Sequence, residues 1–95
     1  MFIDARVNGA LMGEKIGAPN GKPVEIGVHV ICPGEIDRIE VCRNNQFIFT
    51  REIEGTQASL TFIDENPLQG KSYYYVRVMQ EDEELGWTSP VWLGY

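Results

Sequence analysis

Residues 24–32 read VEIGVHVIC and carry the clearest strand pattern in the chain. Apolar side chains occupy every even position of this stretch, at Val24, Ile26, Val28, Val30 and Cys32. Because side chains alternate between the two faces of a strand, this period of two predicts a half-buried strand with its even positions facing a core. Pro33-Gly34 is expected to end the strand.

The chain on the N-terminal side of this strand is predicted to form a hairpin and a loop. Residues 2–7 alternate in the same way and stop at Asn8-Gly9, a pair that favours a type I′ turn because both central residues need a positive φ. Residues 10–12 would make a short return strand. Residues 13–23 are rich in glycine and proline and are predicted to be a loop.

The chain on the C-terminal side continues the alternation in short segments separated by turn residues. The predicted strands are residues 36–43, 46–52, 58–63, 72–80 and 85–93. No segment shows a helical period, and about seven short strands with regular turns are typical of an antiparallel β-sandwich. The prediction is therefore one all-β domain over residues 1–95, an immunoglobulin-like or fibronectin type III-like sandwich.

Composition narrows the classes of function. The 95 residues are 43% hydrophobic and 23% charged, as in an ordinary globular domain, and the net charge is −6. An acidic surface repels phosphate backbones, so no nucleic-acid partner is expected. No apolar run approaches the roughly 18 residues that span a bilayer, so no membrane insertion is expected.

The start of the chain says little about localisation. Met1-Phe2-Ile3-Asp4 has neither the basic start nor the apolar stretch of a signal peptide. The abrupt start on a strand suggests a domain taken from a longer protein. If that parent is exported, its signal is expected to lie outside this chain, and the compartment stays unassigned.

The two cysteines are expected to be free thiols. Cys32 shares parity with the predicted core face of its strand, whereas Cys42 shares parity with Arg38 and Glu40 on the predicted outer face. A disulfide needs Cβ atoms roughly 4 Å apart, which this placement does not favour. Cys32 is predicted to be buried and inert, since a nucleophilic thiol needs an activating neighbour.

No residues are predicted to be catalytic, to bind a cofactor or to bind a metal. His29, the only histidine, has no partner at metal-ligand spacing and is expected to be half exposed in its strand. Residues 81–84 and 64–66 carry carboxylates that could bind Ca²⁺, but neither stretch has the spacing that wraps one ion, and solvated turn charges are the favoured interpretation. Residues 13–21 lack the phosphate-binding glycine motif.

Aromatic residues near the C-terminus suggest an interaction face. If residues 81–84 close a hairpin, Val78 would pair with Trp87, Tyr74 with Val91 and Tyr73 with Trp92. The predicted core side of this hairpin consists of Tyr74, Val76, Val78, Trp87 and Val91. The predicted outer side consists of Tyr73, Tyr75, Arg77, Met79 and Trp92. A bulge near Pro90 could flip the last few residues.

Phe47 and Phe49 would enlarge this outer aromatic face if their side chains point outward. The two side chains are expected to share one face of their strand, with Ile48 and Thr50 on the other, and either pair could point inward. Outward phenylalanines would enlarge the aromatic patch beyond what a solvated surface usually carries. Docking on another domain is the favoured explanation, with self-association or a sugar or peptide ligand as alternatives.

Two motifs near the C-terminus carry family resemblances. Leu68, Tyr74 and Val76-Arg77-Val78 resemble the tyrosine corner of fibronectin type III domains, in which the hydroxyl bonds back to the backbone of the corner. Residues 72–80, SYYYVRVMQ, followed by residues 86–92, GWTSPVW, resemble the tail of the DUF3604 family, which typically reads YYYVRVxQ and then AWSSPIW. Gly86 and Thr88 stand where that pattern has alanine and serine.

The DUF3604 resemblance implies a role inside a larger protein. That family joins a large N-terminal part, similar to PHP-type metal-dependent phosphoesterases, to a C-terminal β-sandwich. The resemblance implies a non-catalytic accessory domain whose partner is the N-terminal catalytic domain of the same chain. A carbohydrate-binding module that uses the outward aromatic residues is the alternative, and weak self-association is a further expectation.

Overall fold

A computed structural model describes all residues, 1–95, as an all-β fold. Ten strands follow one another along the chain: β1 (Phe2–Val7), β2 (Ala10–Leu11), β3 (Lys15–Ile16), β4 (Val24–Ile31), β5 (Ile36–Arg43), β6 (Gln46–Glu52), β7 (Gln57–Asp64), β8 (Ser72–Gln80), β9 (Leu85–Trp87) and β10 (Val91–Leu93). None of its elements is a helix that could cross a bilayer.

The strands form two sheets that pack face to face as a β-sandwich, as the alternation predicts. The first sheet has the order β2-β1-β4-β7. The second has the order β3-β10-β8-β5-β6, and β9 also pairs with β8. All pairs are antiparallel except β3 with β10, so the predicted loop over residues 13–23 contains a short parallel edge strand that was not expected.

The core lies between the sheets and contains most of the residues that alternation assigns to it. The even positions of β4 are buried, as is every even position of β8 from Ser72 to Gln80. One cluster of 17 buried residues contains side chains from both sheets. Burying a branched aliphatic side chain stabilises a fold by about 1.5–3 kcal/mol, so this cluster is the main source of stability.

Turn chemistry places the strand ends where the sequence predicts them. Asn8 and Gly9 have φ of 48° and 81°, and Asn44 and Asn45 have φ of 50° and 65°. These positive values are those of a type I′ hairpin turn, which asparagine and glycine adopt at the lowest steric cost.

Tyr74 anchors the connection between β7 and β8, but its partner differs from the one expected. Its hydroxyl donates to Asp64 Oδ2 at 2.8 Å and not to the backbone of the corner. Arg43 Nη1 donates to the same oxygen at 2.8 Å, and the backbone N–H of Asn66 donates to Oδ1 at 3.1 Å. Three donors thus satisfy a buried carboxylate, which ties the corner to two strands of the second sheet.

Candidate functional site

The outer side of the second sheet is the candidate interaction surface. Strand β8 runs between β5 and β10, and its odd residues point away from the core. Tyr73, Tyr75, Arg77 and Met79 therefore lie on this side, as predicted, and Trp92 joins them because it pairs with Tyr73. We call this surface, with Phe47 and Trp87 added below, the aromatic face.

Trp87 also lies on the aromatic face, which corrects the prediction that it belongs to the core. It pairs with Arg77 rather than with Val78, and Gly86 takes the position opposite Val78. The pairing of Val91 with Tyr74 follows the predicted register, so one extra residue lies between Trp87 and Val91. The bulge expected near Pro90 is thus present, but it flips the residues before the proline and not those after it.

Thr88 holds this bulge against β8. Its backbone N–H donates to the carbonyl of Val76 at 3.0 Å, and its Oγ1 accepts from the N–H of Val76 at 3.1 Å. The side chain thereby replaces a backbone acceptor that the displaced strand no longer offers. Thr88 is buried, whereas the indole of Trp87 next to it is 65% exposed.

Phe47 and Phe49 lie on opposite faces, which corrects the expectation that they share one. The register between β5 and β6 shifts between Val41 and Cys42, so Phe49 pairs with Val41 and Phe47 pairs with Cys42. Phe49 turns inward and stacks on Phe62 of the first sheet, with ring centroids 4.5 Å apart. Phe47 turns outward and is 52% exposed.

A buried carboxylate organises the charges of the aromatic face. Glu40 Oε1 accepts from Nε and Nη2 of Arg77 at 3.1 and 3.0 Å, and Arg38 Nε lies 3.3 Å from the same oxygen. The guanidinium of Arg77 also lies over the ring of Phe47, 4.4 Å from its centroid. Arg38 Nη1 also lies 2.6 Å from Asp37 Oδ2, so two arginines face two carboxylates and the charges of this cluster balance.

The aromatic rings do not form one flat platform. The rings of Tyr73 and Trp92 lie 5.1 Å apart with a tilt of 46°, and Tyr95 meets Trp92 nearly edge-on. The rings of Tyr73 and Tyr75 are almost parallel, with centroids 6.5 Å apart. A face of tilted rings suits the irregular surface of a protein better than the flat face of a sugar chain.

An open groove runs along the bulge. It has a volume of about 630 Å³ and is lined by Tyr75, Arg77, Trp87, Thr88, Ser89 and Pro90. The displaced strand leaves this space beside β8, so the bulge creates the groove, and the outward indole of Trp87 borders it. An exposed indole beside an arginine and a serine gives the groove both apolar and polar contacts.

Cys42 lies under the aromatic face and not in solvent. Its parity is the outer one, as predicted, since it pairs with both Phe47 and Tyr75. The side chain is nevertheless fully buried, because the large neighbours on the outer face cover it. Burial raises the pKa of this thiol, and burial likewise raises the pKa of Tyr75, with the neighbouring thiol as a further cause.

The remaining candidates are placed apart from one another. Both cysteines are free, and burial raises the pKa of Cys32. His29 is exposed on the first sheet, and its Nδ1 lies 2.6 Å from Ser59 Oγ. No group of three or more His, Cys, Asp or Glu side chains is arranged to hold a metal ion.

In each of the two acidic stretches, an aspartate accepts hydrogen bonds from other groups of the fold. Asp64 is engaged by Arg43 and Tyr74, as described above. In the β8–β9 turn, Asp82 accepts from the backbone N–H of Glu84 at 3.0 Å and from Gln80 Nε2. These contacts, the backbone donor first, lower the pKa of Asp82.

Two features of the surface were absent from the sequence prediction, namely the exposure of Trp87 and the groove beside it. The signal for both was Ser89-Pro90, because a proline inside a strand marks an edge or a bulge. The alternation of apolar and polar residues does not show whether the extra residue of a bulge lies before or after the proline.

Comparisons with known proteins find one relative that is similar to this chain over a small part of its own length. No protein-family model matches the chain, and no solved structure matches it. The chain is 24% identical over 108 aligned residues to an uncharacterized protein of Chlamydia trachomatis serovar D. The alignment covers 98% of this chain but 17% of that protein. The chain thus spans about a sixth of the length of the curated relative that it matches.

Proposed function

We propose that this chain is a non-catalytic accessory domain that packs on a larger domain of the same parent protein through its aromatic face. The observation that carries the proposal is the group of outward Phe47, Trp87 and Trp92 on one side of one sheet. A similar region embedded in a protein about six times longer is consistent with a module of a larger chain.

The strand order supports a fibronectin type III-like class for the domain. Lettered in the usual way, β1, β4 and β7 are strands A, B and E, and β6, β5, β8 and β9–β10 are C′, C, F and G. Tyr74 near the start of strand F corresponds to the tyrosine corner of immunoglobulin-like sandwiches, here with a carboxylate as acceptor. A fold of this class does not by itself assign a function, so the proposal rests on the residues of the aromatic face.

The proposed partner is a metal-dependent hydrolase domain of the phosphoesterase type. Its support is the resemblance of residues 72–80 and 86–92 to the tail of the DUF3604 family. Several residues of these two segments are those that form the aromatic face, including Tyr75, Arg77, Trp87 and Trp92. We therefore infer that the motif describes a docking surface, and that the hydrolytic reaction belongs to the catalytic domain.

The chemical make-up of the aromatic face fits docking. Tryptophan, tyrosine and arginine dominate the energetics of protein interfaces because each buries a large area at a small cost in conformational entropy. Trp87 is the most exposed of the large hydrophobic residues. Burying about 150 Å² of its surface in an interface would contribute roughly 4 kcal/mol at 25 cal/mol per Å².

The test is binding in trans between this domain and the rest of its parent protein. We expect Trp87→Ser and Trp92→Ser each to weaken the association at least about tenfold, since one buried tryptophan is worth more than 1.4 kcal/mol at an interface. The matched control is Phe2→Ser, which removes a side chain 54% exposed on the outer side of the first sheet. Unchanged binding by both tryptophan variants would refute docking through this face.

Carbohydrate binding is the second candidate, and the groove beside the bulge favours it. Trp87 could stack on one sugar ring while Arg77 and Ser89, which also line the groove, donate to its hydroxyls. Binding on a broad glycan array that Trp87→Ala abolishes and Phe2→Ala retains would support this candidate. An array without signal, together with association in trans, would support docking.

A further inference from the structure

Strand β7 is an open edge of the first sheet with unused backbone groups. It pairs with β4 on one side, and no strand lies on the other. Cys32 N–H donates to Thr56 O at 2.8 Å, which continues the register of Ile31 with Gln57 and fixes the alternation of the ladder. Hydrogen-bonded pairs therefore involve the even residues of β7, because bonded and non-bonded pairs alternate in antiparallel sheets.

The odd residues of β7 consequently direct their N–H and C=O groups away from the sheet. These residues are Gln57, Ser59, Thr61 and Ile63, and no other segment of the chain donates to or accepts from their backbone. Their side chains are exposed and uncharged. The edge thus offers a row of free donors and acceptors to another extended strand.

The other edges of the molecule are short, irregular or charged, whereas this one is not. Strand β1 lacks a second neighbour from Phe2 to Ala5, but this open part is four residues long and carries Asp4. Strands β2, β3 and β9 have two or three residues each. Strand β6 has a register shift and carries Arg51 and Glu52, both features that oppose pairing with a further strand. Strand β7 has eight residues with a regular register, no proline and no charge before Asp64.

We propose that β7 is a self-association edge, at which two copies of the chain join their first sheets by antiparallel pairing of β7 with β7. An antiparallel strand paired with itself satisfies two-fold symmetry, so each group finds its counterpart on the second copy. With the dyad at Leu60, Ser59 pairs with Thr61 of the second copy, and Gln57 pairs with its Ile63. All the outward-facing residues are used, and no like charges face each other.

The side chains of β7 suit this arrangement. Serine and threonine directly opposite each other form a favourable cross-strand pair. The half-buried Ala58 and Phe62 on the inner side of β7 would meet the same residues of the second copy, and the stacked Phe49 would be covered with them. The net charge of −6 on each copy opposes association. The dimer is therefore weak, and added salt strengthens it by screening that repulsion.

The test is sedimentation velocity of the wild-type chain over a range of concentrations and salt. We expect the average mass to rise toward twice the monomer as concentration and salt increase. Thr61→Pro removes an outward N–H without removing a bond to β4, so it should weaken the dimer at least about tenfold. Thr50→Pro is the matched control, because the N–H of Thr50 also points away from its own sheet, at the open edge of β6. This variant should leave the dimer unchanged.

A second pair of variants covers the case in which proline disturbs the strand. Thr61→Glu adds a charge that faces the second copy and should abolish association, whereas Thr50→Glu should not. Amide hydrogen exchange gives an independent readout. The amides of Ser59, Thr61 and Ile63 should become protected as concentration rises, while those of Leu60 and Phe62 are protected throughout by β4.

Several outcomes would overturn the inference. A monomer at all concentrations and salt levels would do so, as would a dimer that Thr61→Glu leaves intact. Loss of the dimer in Trp87→Ser would assign self-association to the aromatic face instead. Because β7 and the aromatic face belong to different sheets, the result of this test is independent of the docking proposal.

Discussion

Tyr74 combines two roles at the scale of single residues, since its ring fills the core and its hydroxyl serves a buried carboxylate. The hydroxyl is one of three donors to Asp64, and hydrogen bonds to charged groups contribute about 1.5–3 kcal/mol. We expect Tyr74→Phe to lower the free energy of unfolding by about 1–3 kcal/mol, measured by urea denaturation at pH 7.

Tyr73→Phe is the matched control, because its hydroxyl makes no hydrogen bond within the chain and the side chain is half-buried on the outer face. Its free energy of unfolding should lie within about 0.5 kcal/mol of wild type. Equal effects of the two variants would show that the bond to Asp64 contributes nothing to stability.

Alkaline pH should reduce the contribution of Tyr74. Burial, and then the hydrogen bond to Asp64, raises the pKa of Tyr74 above its ordinary value of 10.0. In the folded state the phenol stays neutral, whereas in the unfolded state it ionises above pH 10. The stabilisation is therefore present below that pH and falls as the pH rises, by up to about 1.4 kcal/mol per unit. The difference between wild type and Tyr74→Phe should narrow between pH 10 and pH 11.

The two thiols should report unfolding. Burial raises the pKa of both Cys32 and Cys42, and the thiolate is the species that reacts. At pH 8 in native buffer, labelling with a disulfide reagent should be much slower than for a free cysteine, and in urea it should be complete. Rapid native labelling of Cys42 would contradict its burial under the outer face.

Strand β6 provides a prediction at the scale of elements. Its register shift places Phe49 in contact with the first sheet and Phe47 in solvent, although the two residues are only two positions apart. Phe49→Ala should destabilise the fold by about 1–3 kcal/mol, because truncating this half-buried phenylalanine removes its contact with Phe62 and leaves a partial cavity. Phe47→Ala should cost less than about 1 kcal/mol, mainly the contact with Arg77. Similar losses for both would place the phenylalanines on one face.

The bulge between β9 and β10 provides the second prediction at this scale. Thr88→Val keeps the shape of the side chain but removes the acceptor for the Val76 N–H. A buried unpaired donor costs about 1–3 kcal/mol, so stability in urea should fall by that amount. Ser89→Ala, on the exposed neighbour, should have little effect.

Comparison of the strands with their sequence patterns shows which features the sequence predicts and which it does not. Alternation placed the inward residues of β4 and β8, and asparagine and glycine placed the hairpin turns, because both signals are local to one strand. The faces of Trp87 and Phe49 depend on where one extra residue enters a pair of strands, which is decided by packing across the sandwich. The partner of Tyr74 likewise depends on Arg43, a residue of a strand distant in sequence.

At the scale of the whole molecule, a single core predicts a single unfolding transition. The buried cluster includes residues of both sheets, so neither sheet retains a core when the other separates. Far-ultraviolet circular dichroism and tryptophan fluorescence should therefore give coincident urea transitions. Refolding should take milliseconds to seconds, since most strand pairs join distant parts of the chain. Two resolved transitions would indicate sheets that unfold separately.

The bulge beside Pro90 has a consequence for how such domains diverge. Removing one residue between Trp87 and Val91 would restore an uninterrupted ladder with β8 and draw the displaced segment back toward it, which would close the groove. Trp87 would still lie opposite Arg77, so the indole would stay outward. No substitution at Trp87 itself has that effect, because the number of residues between the two paired stretches sets the bulge. In chains of this type, a single-codon insertion or deletion before the last strand is therefore the genetic event that opens or closes a groove beside an exposed indole.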